Sequence, residues 1–341
     1  MKKINIAILG ATGAVGGEML KILEERHFPV GNLKLLADSN DAGKKIIWKN
    51  KEYVVEEAKF NSFQGVGITL VAVSNDISML FSPEAVKRGS IVIDNSSAYR
   101  MDPEVPLVIP EVNPEDVLWN KGIIANPNCS TIIALMGVKP LHDYAKVKRI
   151  IASTYQAVSG AGIMGGVELS EQTNKYFAGK KIKPKVFQHQ IAFNVIPHID
   201  EFQENGYTKE EMKLLNESKK ILHAPELKVT CTCVRVPVFR SHSESITIET
   251  EKKLTAEKAK DILINAPGVR LVDDPKNNEY PMPVDTSDQD IVFVGRIRED
   301  ISKDNSLSLW LCGDQIRKGA ATNAVQIAEL LVDKGLVKLE G

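Results

Sequence analysis

The chain has 341 residues, 43% hydrophobic and 26% charged, which excludes a disordered chain and exceeds what one hydrophobic core usually supports, so two domains are expected. Forty-three basic side chains against 44 acidic ones leave a formal net charge of −1, giving no electrostatic case for nucleic acid or an anionic membrane and making small molecules the default partners. No apolar run approaches the ~18 residues of a membrane span, and 4–9 is too short for a secretory h-region, so the chain reads as cytoplasmic.

The first third alternates strands predicted at 4–9, 33–37, 68–73 and 91–94 with helices at 14–25 and 76–87. Continuous apolar strands between amphipathic helices are the rhythm of a parallel sheet covered on both faces. Gly10-Ala11-Thr12-Gly13-Ala14-Val15-Gly16 ends the first strand and opens the first helix, where backbone N–H groups and the helix dipole can receive a pyrophosphate. The spacing is G-x-x-G-x-x-G, and glycines also serve simply to turn a strand into a helix, but the flanking elements favour a dinucleotide. The acid that grips an adenosine ribose belongs after the second strand, where the chain reads Ala37-Asp38-Ser39-Asn40-Asp41-Ala42-Gly43-Lys44. Asp38 is compatible with NAD, whereas Ser39, Asn40 and Lys44 could contact a 2′-phosphate; both cofactors stay open.

A strand at 123–125 runs into Asn126-Pro127-Asn128-Cys129-Ser130-Thr131 and a helix at 132–144. Near a helix N-terminus the macrodipole favours the thiolate, so Cys129 suits a nucleophile; a buried structural cysteine is the bland alternative. Cys231, Cys233 and Cys312 fit neither a disulfide framework nor a zinc site, and the first two, separated by one residue in a strand-like run and so on one side of it, read as small buried apolar residues.

From 150 onward the strands lengthen and alternate: 149–155, 230–238, 245–250, 291–298 and 307–312. They read as an antiparallel sheet with helices at 167–176, 209–222 and 255–264, the last capped by Thr255, in an α+β second domain. Gln156-Ala157-Val158-Ser159-Gly160-Ala161-Gly162 offers a close backbone approach to a ligand, or merely a flexible turn. Arg235 and His242 could converge on one pocket, although solvated charges on a surface strand explain them as well. The span 273–290 reads as a long surface excursion with no assigned role, and a helix at 320–336 packs back on the first domain. His189 and His198 lack a familiar ligand spacing, so no metal is expected.

Taken together, 8–16, Asp94-Asn95-Ser96-Ser97-Ala98-Tyr99-Arg100, 126–131, 155–160, 190–194 and 235–244 closely resemble the aspartate-β-semialdehyde dehydrogenases, nearly end to end. The resemblance implies an α/β protein: a Rossmann-like dinucleotide-binding domain, 1–128 with 315–341, plus an α+β catalytic and dimerisation domain, 129–314. It implies interconversion of L-aspartate 4-semialdehyde and L-aspartyl-4-phosphate through a cysteine thioester, using NADP and inorganic phosphate, on the route to lysine, threonine and methionine. A homodimer is expected, with a homotetramer as the alternative.

By the same resemblance Cys129 is the nucleophile, His242 the general acid/base, and Gln156 orients the adduct. Arg235 clamps the substrate carboxylate and Glu217 its amino group, while Arg100, Asn128 and Lys220 hold phosphate. Gly10, Thr12, Gly13, Ala14, Val15, Ser39, Asn40, Asp41, Ser159, Gly160 and Gln315 touch the cofactor; Arg240 is structural. Related bacterial sequences often carry Ser and Arg in the loop after the second strand. Here Asn40-Asp41 stands beside Asp38, and an acid near a 2′-phosphate repels it, so NAD is expected as a second cofactor. The rival assignments are N-acetyl-γ-glutamyl-phosphate reductase, whose acetylated nitrogen gives Glu217 no ammonium to bind, and a catalytically silent cofactor-binding homologue.

Overall fold

A computed structural model describes residues 3–337, which divide into two compact units: residues up to Asn128 together with those from Ala320 onward, and Cys129–Gly319. In the first unit β1 (Ile4–Leu9) leads through the glycine turn into α1 (Ala14–Glu25), which buries Met19, Leu20, Ile22 and Leu23 at helical spacing. β2 (Val30–Ala37) follows. The hairpin of β3 (Lys45–Trp48) and β4 (Lys51–Val54) turns on Lys49 and Asn50, both at positive φ as a tight hairpin turn requires. This hairpin has no counterpart among the predicted strands, because it is short, largely exposed and buries only Trp48 fully. After β5 (Glu56–Glu57), β6 (Ile68–Val71), α2 (Asn75–Lys87), β7 (Ile91–Asp94) and β8 (Ile123–Ala125) complete an all-parallel sheet in the order β5-β2-β1-β6-β7-β8. The chain leaves β1 toward β2 on one side and returns to β6 on the other. The C-terminal end of β1 is therefore the topological switch point, where open α/β sheets bind ligands.

The second unit opens with α3 (Cys129–Ala145), which starts at Cys129 itself, three residues before the expected helix at 132. β9 (Val147–Gln156), α4 (Ile163–Phe177), α5 (Lys209–Ile221), β10 (Lys228–Arg235), β11 (His242–Thr250), α6 (Ala256–Leu263), β12 (Val269–Leu271), α7 (Pro283–Thr286), β13 (Val292–Glu299) and β14 (Ser306–Gly313) follow. Their sheet, β10-β9-β11-β14-β13-β12, is mixed rather than antiparallel. Its centre is antiparallel, but β10 runs parallel to β9 and β12 to β13, because long connections join each pair where a hairpin would reverse direction. Along β9 the side chains Ile150, Ala152, Thr154 and Gln156 are buried and alternate with more exposed neighbours. α3 packs on β9, β11, β13 and β14, and α5 on β10. Each fully buried Ile or Leu on that face contributes ~1.5–3 kcal/mol relative to exposure.

The chain returns to the first unit at Ala320 rather than at 315. Residues 315–319 are held in the second unit: Gln315 bonds Ser159, Arg317 pairs with Asp290, and the Gly319 N–H donates to Asp314 O. α8 (Thr322–Asp333) then packs Ala324, Val325, Ile327, Ala328 and Leu331 into the first core, against α1. Among the described residues no helix is long and apolar enough to cross a membrane.

Candidate active site

The register of the second sheet sets Arg235 opposite Gln156, and β11 brings His242 alongside Gln156, so the three share one row at the end of the helix-covered face. Cys129 begins the 17-residue α3 and is half-buried, at the helix end whose dipole favours a thiolate. The chain passes close behind it: a Cβ on Gly319 would sit 2.9 Å from Cys129 Cβ.

Gln156 is buried, and its Nε2 donates to Ser130 Oγ, on the residue after the cysteine, and to Glu210 Oε1 at 3.0 Å. Its Oε1 has no hydrogen-bond partner among the described residues. His242 is fully buried, with Nδ1 accepting the Ala157 N–H at 3.1 Å and Nε2 left without a partner among those residues. Burial first, then the Arg235 charge, pushes this imidazole down to about 3 against the opposing pull of Glu210, so it is neutral at physiological pH with its proton on Nε2. The preceding residue, Ser241, takes a left-handed φ of 71°. Its N–H donates to Gln315 Oε1 at 2.9 Å, and its hydroxyl meets that of Thr286 at 2.6 Å. The excursion 273–290 thus supplies a buried residue, Thr286, to the turn that starts β11.

Arg235 donates through Nη1 to Ala157 O at 2.7 Å and lies over the Phe187 ring. Burial pulls its guanidinium below the ordinary value, against Glu210 and the Cys129 and Cys233 thiols, and a guanidinium so placed stays charged. Gly160 lies against both site residues: a Cβ there would come 2.7 Å from Arg235 Nη1 and 3.2 Å from His242 Cε1. Ser159 and Gln315 are bonded to each other, so the second-unit residues expected at the cofactor cluster beside Arg235 and His242. Arg240 is instead paired with Asp314 and Asp288.

The carboxylate that bonds Gln156 is Glu210, not Glu217, to which the resemblance assigns the substrate amino group. α5 begins with a capping box in which Thr208 and Glu211 bond each other's backbone N–H, and Glu211 also accepts the Cys233 N–H at 3.0 Å on the open edge of β10. That docking aims Glu210 at the row. Glu217 lies seven residues, ~10 Å, further along the same helix face. Lys213 stands to Glu210 in sequence as Lys220 does to Glu217, and it bonds Glu210 and Asp200, each at 2.9 Å. Although burial works against its charge, those carboxylates hold its ammonium above the ordinary value. Glu-x-x-Lys occurs twice on α5, seven residues apart, so spacing alone cannot choose; the capping box starting at Thr208 is the signal that marks the first copy.

One more acid carries no signal in the sequence. Glu244, two residues from His242 along β11, is fully buried, and neither carboxyl oxygen has a hydrogen-bond partner among the described residues. Burial pushes it well above the ordinary carboxyl range, with Cys233 and Glu210 adding to the effect.

In the first unit the glycine turn is built for close approach. Gly10 holds φ +90°, and a Cβ there would meet Ala72 O at 2.3 Å; one on Gly16 would meet Gly10 O at 2.1 Å. α1 follows with Gly13 as its N-cap, no side-chain cap and no acid in the first turn, so its N-terminal backbone groups suit a pyrophosphate. Asp41, after β2, accepts from the Thr12 hydroxyl of this turn and from Lys44. Arg100, also in this unit, donates to Asn126 O at 2.9 Å and to Asn95 O at 2.8 Å. Behind it Asn323 donates to Asn126 Oδ1 and Asn126 to Asn95 Oδ1, an amide chain linking the side chains of the two residues whose backbone carbonyls Arg100 bonds. Asn128 is buried in the first unit, and Lys220 lies on α5 of the second.

Residues 5–119 match the family model of the semialdehyde dehydrogenase NAD binding domain, and 138–318 that of the semialdehyde dehydrogenase dimerisation domain. The chain is 56% identical to an aspartate-semialdehyde dehydrogenase of Aquifex aeolicus over 97% of its length and 99% of the relative's, and 49% identical to that of Bacillus subtilis over 98% and 99%. Among solved structures, aspartate semialdehyde dehydrogenase II of Vibrio cholerae complexed with ASA superposes with a TM-score of 0.95 at 46% identity, covering 98% of this chain and 99% of that one. The Candida albicans enzyme with NADP superposes with a TM-score of 0.75 at 26% identity, covering 98% and 99%.

Proposed function

Since the chain belongs to the aspartate-semialdehyde dehydrogenase family of oxidoreductases, we propose that it interconverts L-aspartate 4-semialdehyde and L-aspartyl-4-phosphate through a thioester on Cys129. The observation that carries this proposal is the row of Arg235, Gln156 and His242, with Glu210 bonded to Gln156 and Gln156 bonded to the residue after Cys129. A substrate with an α-ammonium and an α-carboxylate needs one anion and one guanidinium, which Glu210 and Arg235 supply.

In the oxidative direction the Cys129 thiolate attacks the aldehyde carbon, forming the S–C bond and an oxyanion. His242, holding its proton on Nε2, donates a hydrogen bond to that oxyanion and keeps the proton, so that the C=O re-forms as hydride leaves the same carbon, and Gln156 orients the adduct. A nicotinamide dinucleotide, NADP by the family resemblance and NAD as the alternative, supplies the hydride acceptor when bound; Gly10, Thr12, Gly13, Ala14 and Val15 would hold its pyrophosphate end. Loss of hydride leaves the thioester. Phosphate attack on that carbonyl expels the thiolate and releases the acyl phosphate. Arg100 and Asn128 are assigned to phosphate, and Lys213 takes the part expected of Lys220.

The match to a dimerisation domain supports a homodimer, and relatives named for this activity support the reaction; a cytoplasmic place in the synthesis of lysine, threonine and methionine follows from the family resemblance. Glu210 disfavours an N-acetylated substrate, whose nitrogen carries no charge. The test is phosphate-dependent reduction of NADP, and separately of NAD, by purified protein given the semialdehyde, with Cys129→Ala as control. Turnover that needs phosphate and vanishes in the variant supports the assignment; no turnover with either dinucleotide from folded protein contradicts it.

A further inference from the structure

The loop after β2 bears on which dinucleotide the first unit takes. It reads Asp38-Ser39-Asn40-Asp41-Ala42-Gly43-Lys44 and directly follows Ala37, the last residue of β2, where the adenosine ribose lies in proteins of this topology. Two of its seven residues are carboxylates and one is a cation. That cation is committed, since Lys44 bonds Asp41 Oδ1. Asp41 Oδ2 accepts from Thr12, inside the glycine turn, so the acid is fastened to the wall of the dinucleotide site instead of swinging into solvent. Asp38 Oδ1 accepts the N–H groups of Asn40 at 2.8 Å and Asp41 at 3.2 Å, which orders the loop. Asp38 Oδ2 has no hydrogen bond among the described residues, and the side chain is exposed.

We propose that Asp38 and Asp41 make this chain select NAD over NADP, the Asp38 carboxylate accepting from the ribose hydroxyls and repelling a 2′-phosphate, and Asp41 withholding the loop's one lysine from that phosphate. The inference rests on the dinucleotide site proposed above. A diol offers donors to a carboxylate, whereas a phosphate dianion offers only acceptors and like charge. A site built for 2′-phosphate supplies an uncommitted arginine or lysine; this loop has no arginine, and its lysine is neutralised by Asp41. Both contacts of Asp41 favour its charged form and hold its carboxyl below the ordinary value, Lys44 more strongly than Thr12, so the pair that occupies Lys44 persists near neutral pH.

The test is equilibrium binding to the purified full-length protein, without substrate, of NADH against NADPH and of ADP against its 2′-phosphorylated counterpart. The wild type should bind NADH roughly 10- to 1,000-fold more tightly, the span that a like-charge contact covers between surface and part-buried settings. Asp38→Ser with Asp41→Ser should narrow the gap from both sides. Asp38→Asn, which keeps the acceptor for the Asn40 N–H, should weaken NADH and leave the fold intact. Tighter or equal binding of NADPH by the wild type overturns the proposal while leaving the dinucleotide site standing, as does a preference that the double variant leaves unchanged. If folded protein binds neither dinucleotide, the proposal falls together with the site it rests on.

Discussion

The backbone N–H of Ala157 donates to Nδ1 of His242 at 3.1 Å, and Nε2 of the same ring is left to the site. One hydrogen bond thereby fixes the tautomer: the imidazole is a donor through Nε2, and it stays neutral because burial and Arg235 push it down to about 3.

That depressed value makes a stability prediction. Between its folded value and the ordinary 6.5 the unfolded chain binds a proton at this position and the folded chain does not. Stability is therefore unaffected by this group above pH ~6.5 and falls as pH drops toward 3, by up to about 1.4 kcal/mol per pH unit. Denaturant unfolding of wild type and His242→Asn at pH 7 and 4.5 should show a smaller acid loss in the variant, alongside a kcat reduced ~10²–10⁴-fold. Equal acid losses would mean that His242 is not buried neutral.

Glu210 and Glu217 can be told apart kinetically. Glu210→Gln removes the charge beside Gln156 and Lys213 and should raise KM for the semialdehyde ~10- to 100-fold, the worth of one charge-assisted hydrogen bond. Glu217→Gln, two turns along the helix, should leave KM within about twofold. The reverse pattern would restore the expectation drawn from sequence.

Gly160→Ala should damage the site more than the fold. The new Cβ would press on Arg235 Nη1, which cannot move away without losing its bond to Ala157 O, and on the His242 ring. A displacement of this size costs about 10²-fold in kcat/KM, while unfolding should shift by less than ~2 kcal/mol. Wild-type kinetics in this variant would show that the turn has slack.

Glu244 runs the opposite way to His242. Its folded value is raised, so above the ordinary 4.5 the unfolded chain releases a proton that the folded chain keeps, and stability is lost as pH rises. Glu244→Gln removes that loss, so its melting temperature relative to wild type should be higher at pH 8 than at pH 5. A gap that shrinks with pH would mean that Glu244 is ionised in the fold.

Much of this was legible in the residues themselves. Buried parallel strands show as apolar runs, and the glycine turn and the cysteine at a helix start are local patterns that need no partner to be read. Legibility failed where the answer lay in pairing. Which copy of Glu-x-x-Lys faces Gln156 depends on how α5 docks on β10, which the repeated spacing does not encode; only the capping box at Thr208 marks the first copy. The parallel edges of the second sheet depend on where long connections return. The buried state of Glu244 is invisible in Ser243-Glu244-Ser245, which reads as polar surface until the helices cover it.

A thioester on Cys129 would be seen most directly in the intact mass of the protein after mixing with semialdehyde and oxidised dinucleotide in the absence of phosphate. One aspartyl group should be gained on the peptide that carries Cys129, discharged on adding phosphate and absent from Cys129→Ala. Phosphate-dependent turnover by Cys129→Ala, or turnover by the wild type with no adduct on that peptide, would contradict the assignment.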